Sequence, residues 1–147
     1  MRLLLAPLFH RAGTGRYATA PDILDELFAS LPRALLPGDP LPKGVSYCLT
    51  FDDATDDFYR VIYPLLQKHA QRALLAVPTA LVGTPGFCTW EELIEMERSG
   101  LITCASHTVH HTALQTPSSE IVESKRILSD ALGRHSYEFA YLYGAFS

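Results

Sequence analysis

The chain has 147 residues, 48 % of them hydrophobic and 19 % charged, with a formal net charge of −4. That length supports one domain with a real core and is too short for two. Lysines and arginines are scattered singly, without the basic stripe that a phosphate backbone requires, and no run reaches the ~20 apolar residues that cross a bilayer, so the composition argues against a nucleic-acid partner and a membrane-spanning helix.

Met1 to Phe9 begins as a secretory leader would, but the apolar run is short, contains Pro7, and meets His10 and Arg11 without a small-residue cleavage site. It reads as a buried first strand from Leu3 to Phe9, which makes a cytoplasmic location the default expectation. Pro21, in a favoured first-turn position, opens a helix over Asp22 to Leu31. Pro32 to Lys43 is rich in Pro, Gly and Leu and reads as a long loop of functional character, not a domain boundary. Val45 to Phe51 is the second strand. Asp56 to Ala70 follows as a helix with Tyr59, Ile62, Tyr63 and Leu66 at helical spacing. Ala73 to Val77 is the third strand, and Thr89 with Glu92 forms a capping box for a helix ending at Gly100. Leu101 to Ala105 is the fourth strand. Thr116-Pro117 starts a helix whose Ile121, Leu128 and Leu132 share a face until Gly133 stops it, and Glu138 to Leu142 is the fifth strand.

Several of these strands are apolar on consecutive residues, the pattern of strands covered on both faces in a parallel sheet. Strands alternating with helices imply right-handed βαβ crossovers, hence a barrel or a doubly wound sheet. Five strands fall short of the about eight strands and ~250 residues of a closed parallel barrel. The expected fold is therefore α/β, an incomplete or distorted (β/α) barrel with parallel strands that lacks the C-terminal units, spanning residues 1–147 as one domain. An unfinished barrel leaves an open edge and apolar surface, which suggests a homo-oligomer that covers it. Cys48, Cys88 and Cys104 are odd in number and read as buried free thiols, which fit a reducing compartment without requiring one.

Asp52 and Asp53 stand at the C-terminal end of the second strand, where parallel α/β folds place their active sites. Adjacent side chains there point in different directions, so one can bind a cation while the other faces a bound water. Asp56 and Asp57 read instead as partners of the following helix's N-terminal dipole. His107 and His111 follow the fourth strand, and their spacing lets two imidazoles converge on one ion. Two His and one Asp leave coordination positions open, as a catalytic site needs. His110 between them reads either as a surface residue or as part of the cluster. Tyr143-Gly144 ends the fifth strand at the same face; Gly144 allows close backbone approach, and the Tyr143 N–H can point at an oxyanion.

Thr50-Phe51-Asp52-Asp53, then His107-Thr108 with His111, then Phe139 to Gly144 resemble, in order, three motifs of the polysaccharide deacetylase family. This is carbohydrate esterase family four, also called the NodB-homology domain. Asp57-Phe58-Tyr59, Pro64-Leu65-Leu66 and the stretch from Trp90 to Leu101 are also similar to family sequence, so the likeness runs from the first strand to the last residue. The third motif is nearest the poly-N-acetylglucosamine deacetylase branch, with Leu142 in place of Pro and Ala140 where other branches carry Arg.

The resemblance implies a distorted barrel holding a divalent metal, usually Zn2+ and sometimes Co2+ or another ion, on Asp53, His107 and His111. It implies Asp52 as general base and the Tyr143 N–H on the oxyanion. The implied reaction removes N-acetyl groups from an N-acetylglucosamine-containing polysaccharide, so an N-acetylated glycan is the expected partner, and family members are often exported. Ala54 occupies the place of a usual Gly, which implies a small shift of the loop holding Asp53. The family's later motifs, including the His that serves as general acid, have no counterpart within these residues. His10, at the end of the first strand, is a candidate substitute acid; a structural hydrogen bond is its other reading. Two further readings stand beside the enzyme: a truncated, non-catalytic metal- or glycan-binding remnant of the same fold, and another barrel metallohydrolase acting on a phosphate ester. The latter is disfavoured by the lack of phosphate-clamping Arg near the motifs.

Overall fold

The computed structural model describes residues 1–112, 118–136 and 138–141. In chain order its elements are β1 (Arg2–Leu5), β2 (Leu8–Phe9), β3 (Arg11–Ala12), β4 (Ala18–Thr19), α1 (Pro21–Ser30), β5 (Gly44–Tyr47), β6 (Leu49–Phe51), a π-helical turn (Phe58–Ile62) leading into α2 (Tyr63–Lys68), β7 (Ala73–Val77), α3 (Trp90–Arg98), β8 (Ile102–Ser106) and α4 (Ser118–Leu132).

Every pairing between these strands is parallel, and the central order is β2-β6-β7-β8. The pairing of β1 with β5 keeps the register of β2 with β6, so each is in effect one strand interrupted opposite Pro7, which has no N–H to give the ladder. Bonds from Cys48 N–H to Leu5 O and from Thr50 N–H to Pro7 O carry the ladder across the gap. Beyond β8, Phe139 makes a parallel bridge to Ser106, which is how the expected fifth strand is seen among the described residues; Leu142 lies outside them. This is the expected parallel α/β architecture of an incomplete barrel.

β7 and β8 are buried almost throughout, as consecutive apolar residues require of strands covered on both faces. Between sheet and helices, Phe51 meets Phe28 and Phe58 edge to face, within a core that includes Leu24, Ile62, Leu66, Leu93, Met96 and Leu128. Burying each such side chain contributes about 1.5–3 kcal/mol. All three cysteines are free and buried; burial pushes the Cys88 thiol up to about 12.

The first strand departs from the sequence reading, since all four residues of β1 are exposed, with Leu3, Leu4 and Leu5 at 39 %, 46 % and 42 %. The strand exists because its backbone pairs with β5, yet β5 is its only strand partner among the described residues.

The helix read from Asp56 to Ala70 opens on the π-helical turn, closed by a bond from Tyr63 N–H to Phe58 O. Pro64 follows, cannot donate, and would crowd an α-helical carbonyl four residues earlier, so the wider turn precedes it. Asp56 pairs with Arg60, whereas Asp57 accepts the Ala12 N–H at 2.5 Å and so ties β3 to this helix. Buried Gln71 anchors the end of α1: its amide donates to Phe28 O and Leu31 O and accepts from the Ala34 N–H. Arg72 then holds Ala34 O and Asp39, which ties down the long loop. The expected capping box of Thr89 and Glu92 is present at α3, and Gly133, with φ 68°, follows the last turn of α4.

Candidate metal centre

The β2–β6 ladder extends to Asp52, whose N–H donates to Phe9 O at 2.9 Å. The backbone then takes two consecutive left-handed residues, Asp53 at φ 77° and Ala54 at φ 51°. Both neighbouring carboxylates end within 3.8 Å of His107 Nε2, Asp52 through Oδ2 and Asp53 through Oδ1. Ala54 itself adopts the conformation for which glycine is suited, at a cost of about 1–2 kcal/mol for an L-residue. Bonds from Cys88 N–H to Ala54 O and from Asp56 N–H to Gly86 O fix the turn against the loop before α3.

At the end of β8, His107 N–H donates to Val77 O and prolongs the β7–β8 ladder by one residue. Thr108 (φ 69°) and His111 (φ 56°) are again left-handed, and the Thr108 hydroxyl accepts the His111 N–H at 3.0 Å. Glu120, in the first turn of α4, accepts the N–H groups of Val109 and His110 and pairs with His110 Nδ1 at 2.8 Å. Partial burial pushes the Glu120 carboxyl up, but its bonds from the His110 ring and the two backbone groups prevail and hold it below its ordinary value. His110 is thus the clamp of the loop, and its ring meets Glu120 instead of the cluster.

His111 Nε2 lies 2.9 Å from Asp53 Oδ1, and His107 Nε2 lies 3.8 Å from the same oxygen and 3.8 Å from Asp52 Oδ2. One ligand atom from each of Asp53, His107 and His111 falls within 4.8 Å of the others. Asp53 Oδ1 is buried and accepts no hydrogen bond, although an imidazole nitrogen approaches to 2.9 Å. The short approach without hydrogen-bond alignment is that of atoms grouped around a common point. His107 Nδ1 lies 2.9 Å from Ala140 O. A carbonyl only accepts, so Nδ1 carries the proton and Nε2 turns its lone pair to the cluster. A buried, unsatisfied carboxylate oxygen and an imidazole nitrogen with its lone pair free fit a divalent cation.

Asp52 is buried, and desolvation raises its carboxyl above the ordinary value; His107 and then His10 oppose the rise, while Asp53 adds to it. His10 follows β2 directly and lies at the same end of the sheet, its ring 5.3 Å from that of Tyr17. Arg11, Asp53, Thr55, Leu81, Phe87 and His111 line a small pocket of about 70 Å³ beside the cluster. Tyr143 and Gly144 lie outside the described residues.

Sequence reasoning missed the groups that hold the cluster in place. Arg134 binds Glu97 at 2.6 Å, Cys104 O at 3.0 Å and Glu138 at 3.4 Å. Ser106 N–H in turn donates to Glu138 O, and Ala140 N–H to Ser106 O, which sets the carbonyl that His107 uses. A capping-type acid at the start of α4 was the only available signal for Glu120; a backbone acceptor such as Ala140 O leaves none.

Together these features describe a parallel α/β protein with a carboxylate-and-imidazole centre at its strand ends, next to a second buried carboxylate. The sequence model of the polysaccharide deacetylase family matches residues 40–147, and the chain belongs to that family. It is 28 % identical over 118 residues to a Bacillus subtilis protein named as a polysaccharide deacetylase, YxkH, covering 77 % of this chain and 42 % of that one. It is 35 % identical over 86 residues to the poly-beta-1,6-N-acetyl-D-glucosamine N-deacetylase of Escherichia coli K12, covering 48 % of this chain and 13 % of the relative. The chain therefore spans less than half the length of either. Among solved structures, IcaB from Ammonifex degensii superposes with a TM-score of 0.86 at 23 % identity, over the whole chain and 78 % of that structure. The Streptococcus pyogenes deacetylase PplD, solved with acetate, gives 0.83 at 27 % identity, over 97 % of this chain and 74 % of its own.

Proposed function

We propose that this chain carries the metal site of a metal-dependent hydrolase that removes N-acetyl groups from an N-acetylglucosamine-containing polysaccharide. The observation that carries the reading is the grouping of Asp53, His107 and His111 around a buried, unsatisfied carboxylate oxygen beside buried Asp52. Asp53 Oδ1 and the Nε2 atoms of His107 and His111 would hold the ion, and two imidazoles with one carboxylate suit Zn2+ best, with Co2+ or another divalent ion also served. Bound there, such an ion supplies Lewis acidity, polarising the acetamide carbonyl and lowering the pKa of water.

Asp52 is the base that takes the proton from the attacking water; its raised affinity for protons in a desolvated setting suits that role. The Tyr143 N–H donates to the oxyanion. His10, at the same end of the sheet, donates the proton that lets the amine leave, and acetate is released. Each such proton transfer typically contributes ~10²- to 10⁴-fold.

The test is acetate release from N-acetylglucosamine oligomers by Zn2+-loaded protein. Asp52→Asn should stop release while retaining Zn2+, and Asp53→Ala should lose both. Zn2+ binding without acetate release would instead support a non-catalytic metal- or glycan-binding role for the same fold.

A further inference from the structure

Tyr17 combines two costly features. It is a bulky residue at φ 61°, a left-handed conformation that L-residues adopt only with strain, and it is 62 % exposed. Most other strained non-glycine residues here have a clear context: Asp53, Ala54, Thr108 and His111 all shape the candidate centre. Strain persists only where its surroundings impose it, and at an exposed residue it points to a use other than packing.

The loop that carries Tyr17 is firmly anchored. β3 and β4 pair across its base, Gly13 N–H donates to Thr19 O at 3.0 Å, Ala18 N–H donates to Gly15 O at 3.3 Å, and Asp57 holds Ala12. Gly13 and Gly15, at φ 132° and 110°, let so short a segment reverse. The aromatic ring is thus displayed from a fixed backbone.

Its neighbours place it on the rim of the site. The His10 ring lies 5.3 Å away, tilted by 30°, and the Arg16 guanidinium stands over the Tyr17 ring, 4.8 Å from its centre, leaving the rest of the exposed ring as the free apolar surface. His10 directly follows Phe9, whose carbonyl accepts the Asp52 N–H, and Arg11 lines the pocket shared with Asp53 and His111. An exposed aromatic ring offers a broad apolar surface at low side-chain entropy cost, and an adjacent exposed guanidinium offers a fan of donors. An apolar face beside hydroxyl-binding donors is the complement of a pyranose ring.

We propose that Tyr17, backed by the Arg16 guanidinium that stands over its ring, is a resting platform for a sugar ring that adjoins the reacting residue of the glycan, so that the site favours oligomers over single acetylated sugars. This rests on the deacetylase reading for its substrate class. Tyr17 touches no reacting group; it sets specificity by binding.

The experiment compares wild type, Tyr17→Ala, Tyr17→Gly and Tyr17→Phe on a β-1,6-linked N-acetylglucosamine tetramer and on the monomer, with tetramer binding measured separately by titration calorimetry. Tyr17→Gly relieves the backbone strain, so it keeps the test decisive should the Ala variant fold poorly. Loss of the ring should raise KM for the tetramer about tenfold with little change in kcat, leave the monomer unaffected, and be rescued by Phe. An equal loss on both substrates would mean that Tyr17 acts by placing His10, and unchanged kinetics would mean that it does nothing; either overturns the platform while leaving the deacetylase standing. Tetramer binding that weakens about tenfold without the ring, in a protein that releases no acetate, would keep the platform and overturn the enzyme. No tetramer binding by wild type would overturn the platform outright.

Discussion

His107 Nδ1 donates to the carbonyl of Ala140 at 2.9 Å, a bond between a strand end and a segment 33 residues further along the chain. It sets both the tautomer and the ring orientation of one proposed ligand. Ala140 stands where other branches of the family carry a charged side chain, and here its contribution comes from the backbone. The position of that carbonyl depends on Arg134, through Glu138 and Ser106.

Arg134→Ala should therefore act twice. It removes the guanidinium that bridges Glu97 and Glu138, both mostly shielded from solvent, and should destabilise the chain by about 2–4 kcal/mol in urea unfolding. It should also weaken Zn2+ binding by about 10- to 100-fold in a chelator competition, as loss of outer support does at metal sites. Arg134→Lys keeps the charge without the fork and should recover only part of either loss. Weaker folding with unchanged Zn2+ affinity would detach the clamp from the centre.

Removing the metal should expose the cost of Asp53. In chelator, Asp53→Asn should melt at or above the wild-type temperature, because a carboxylate with one oxygen buried and without a hydrogen bond is replaced by a neutral amide. Adding Zn2+ should reverse the order: at a hundredfold excess over Kd it stabilises wild type by about 2.7 kcal/mol and the variant hardly at all. Scanning calorimetry with and without Zn2+ reads both, and identical responses would remove Asp53 from the ligand set.

Ala54→Gly should be close to neutral. The buried methyl is worth about 0.8 kcal/mol and the added freedom of the unfolded chain about 0.5–1, against about 1–2 kcal/mol of relieved left-handed strain. Ala76→Gly, in buried β7, has no strain to relieve and should cost the full ~1.3–1.8 kcal/mol. Parallel urea titrations of the two variants give the comparison, and equal losses would show that the turn bears no strain.

Gln71→Ala strips the bonds that satisfy Phe28 O, Leu31 O and the Ala34 N–H, and should destabilise by about 2–4 kcal/mol. Hydrogen exchange should quicken first at Ala34 and at the end of α1.

Acid should weaken the join between α1 and α2 at Asp25. Its bond from Lys68, and then that from His69, hold this carboxyl below the ordinary range. A depressed folded-state pKa gives stability that is present above the unfolded value of about 3.9 and lost as pH falls through the folded one. Asp25→Asn should therefore lower stability at neutral pH and flatten its decline below about pH 4. Melting temperatures of both proteins across that range decide it.

The proposed base and ligands were legible because motif and fold coincide: Asp52, Asp53, His107 and His111 each directly follow a strand or lie within a few residues of its end. β7, β8 and the Thr89 capping box were legible for a similar reason, since their signals are local. What stayed hidden is long-range or carried by backbone. Arg134 and Glu97 lie 37 residues apart, and nothing in either residue names the other. Ala140 acts through an oxygen that every residue has. The exposure of β1 was hidden differently: Leu3, Leu4 and Leu5 look the same in sequence whether or not something covers them. The π-helical turn before Pro64 shows a helical pattern with a changed bond ladder, which periodicity alone does not distinguish.

That uncovered strand bears on how the chain is made. β1 is made before its partner β5, which follows only after α1 and the long loop. Until then a leucine-rich segment with free backbone groups must wait in solution, and even after pairing its leucines stay open to water. β1 should therefore draw chaperone binding until β5 has been made, and Leu4→Lys should shorten that engagement and raise the soluble yield.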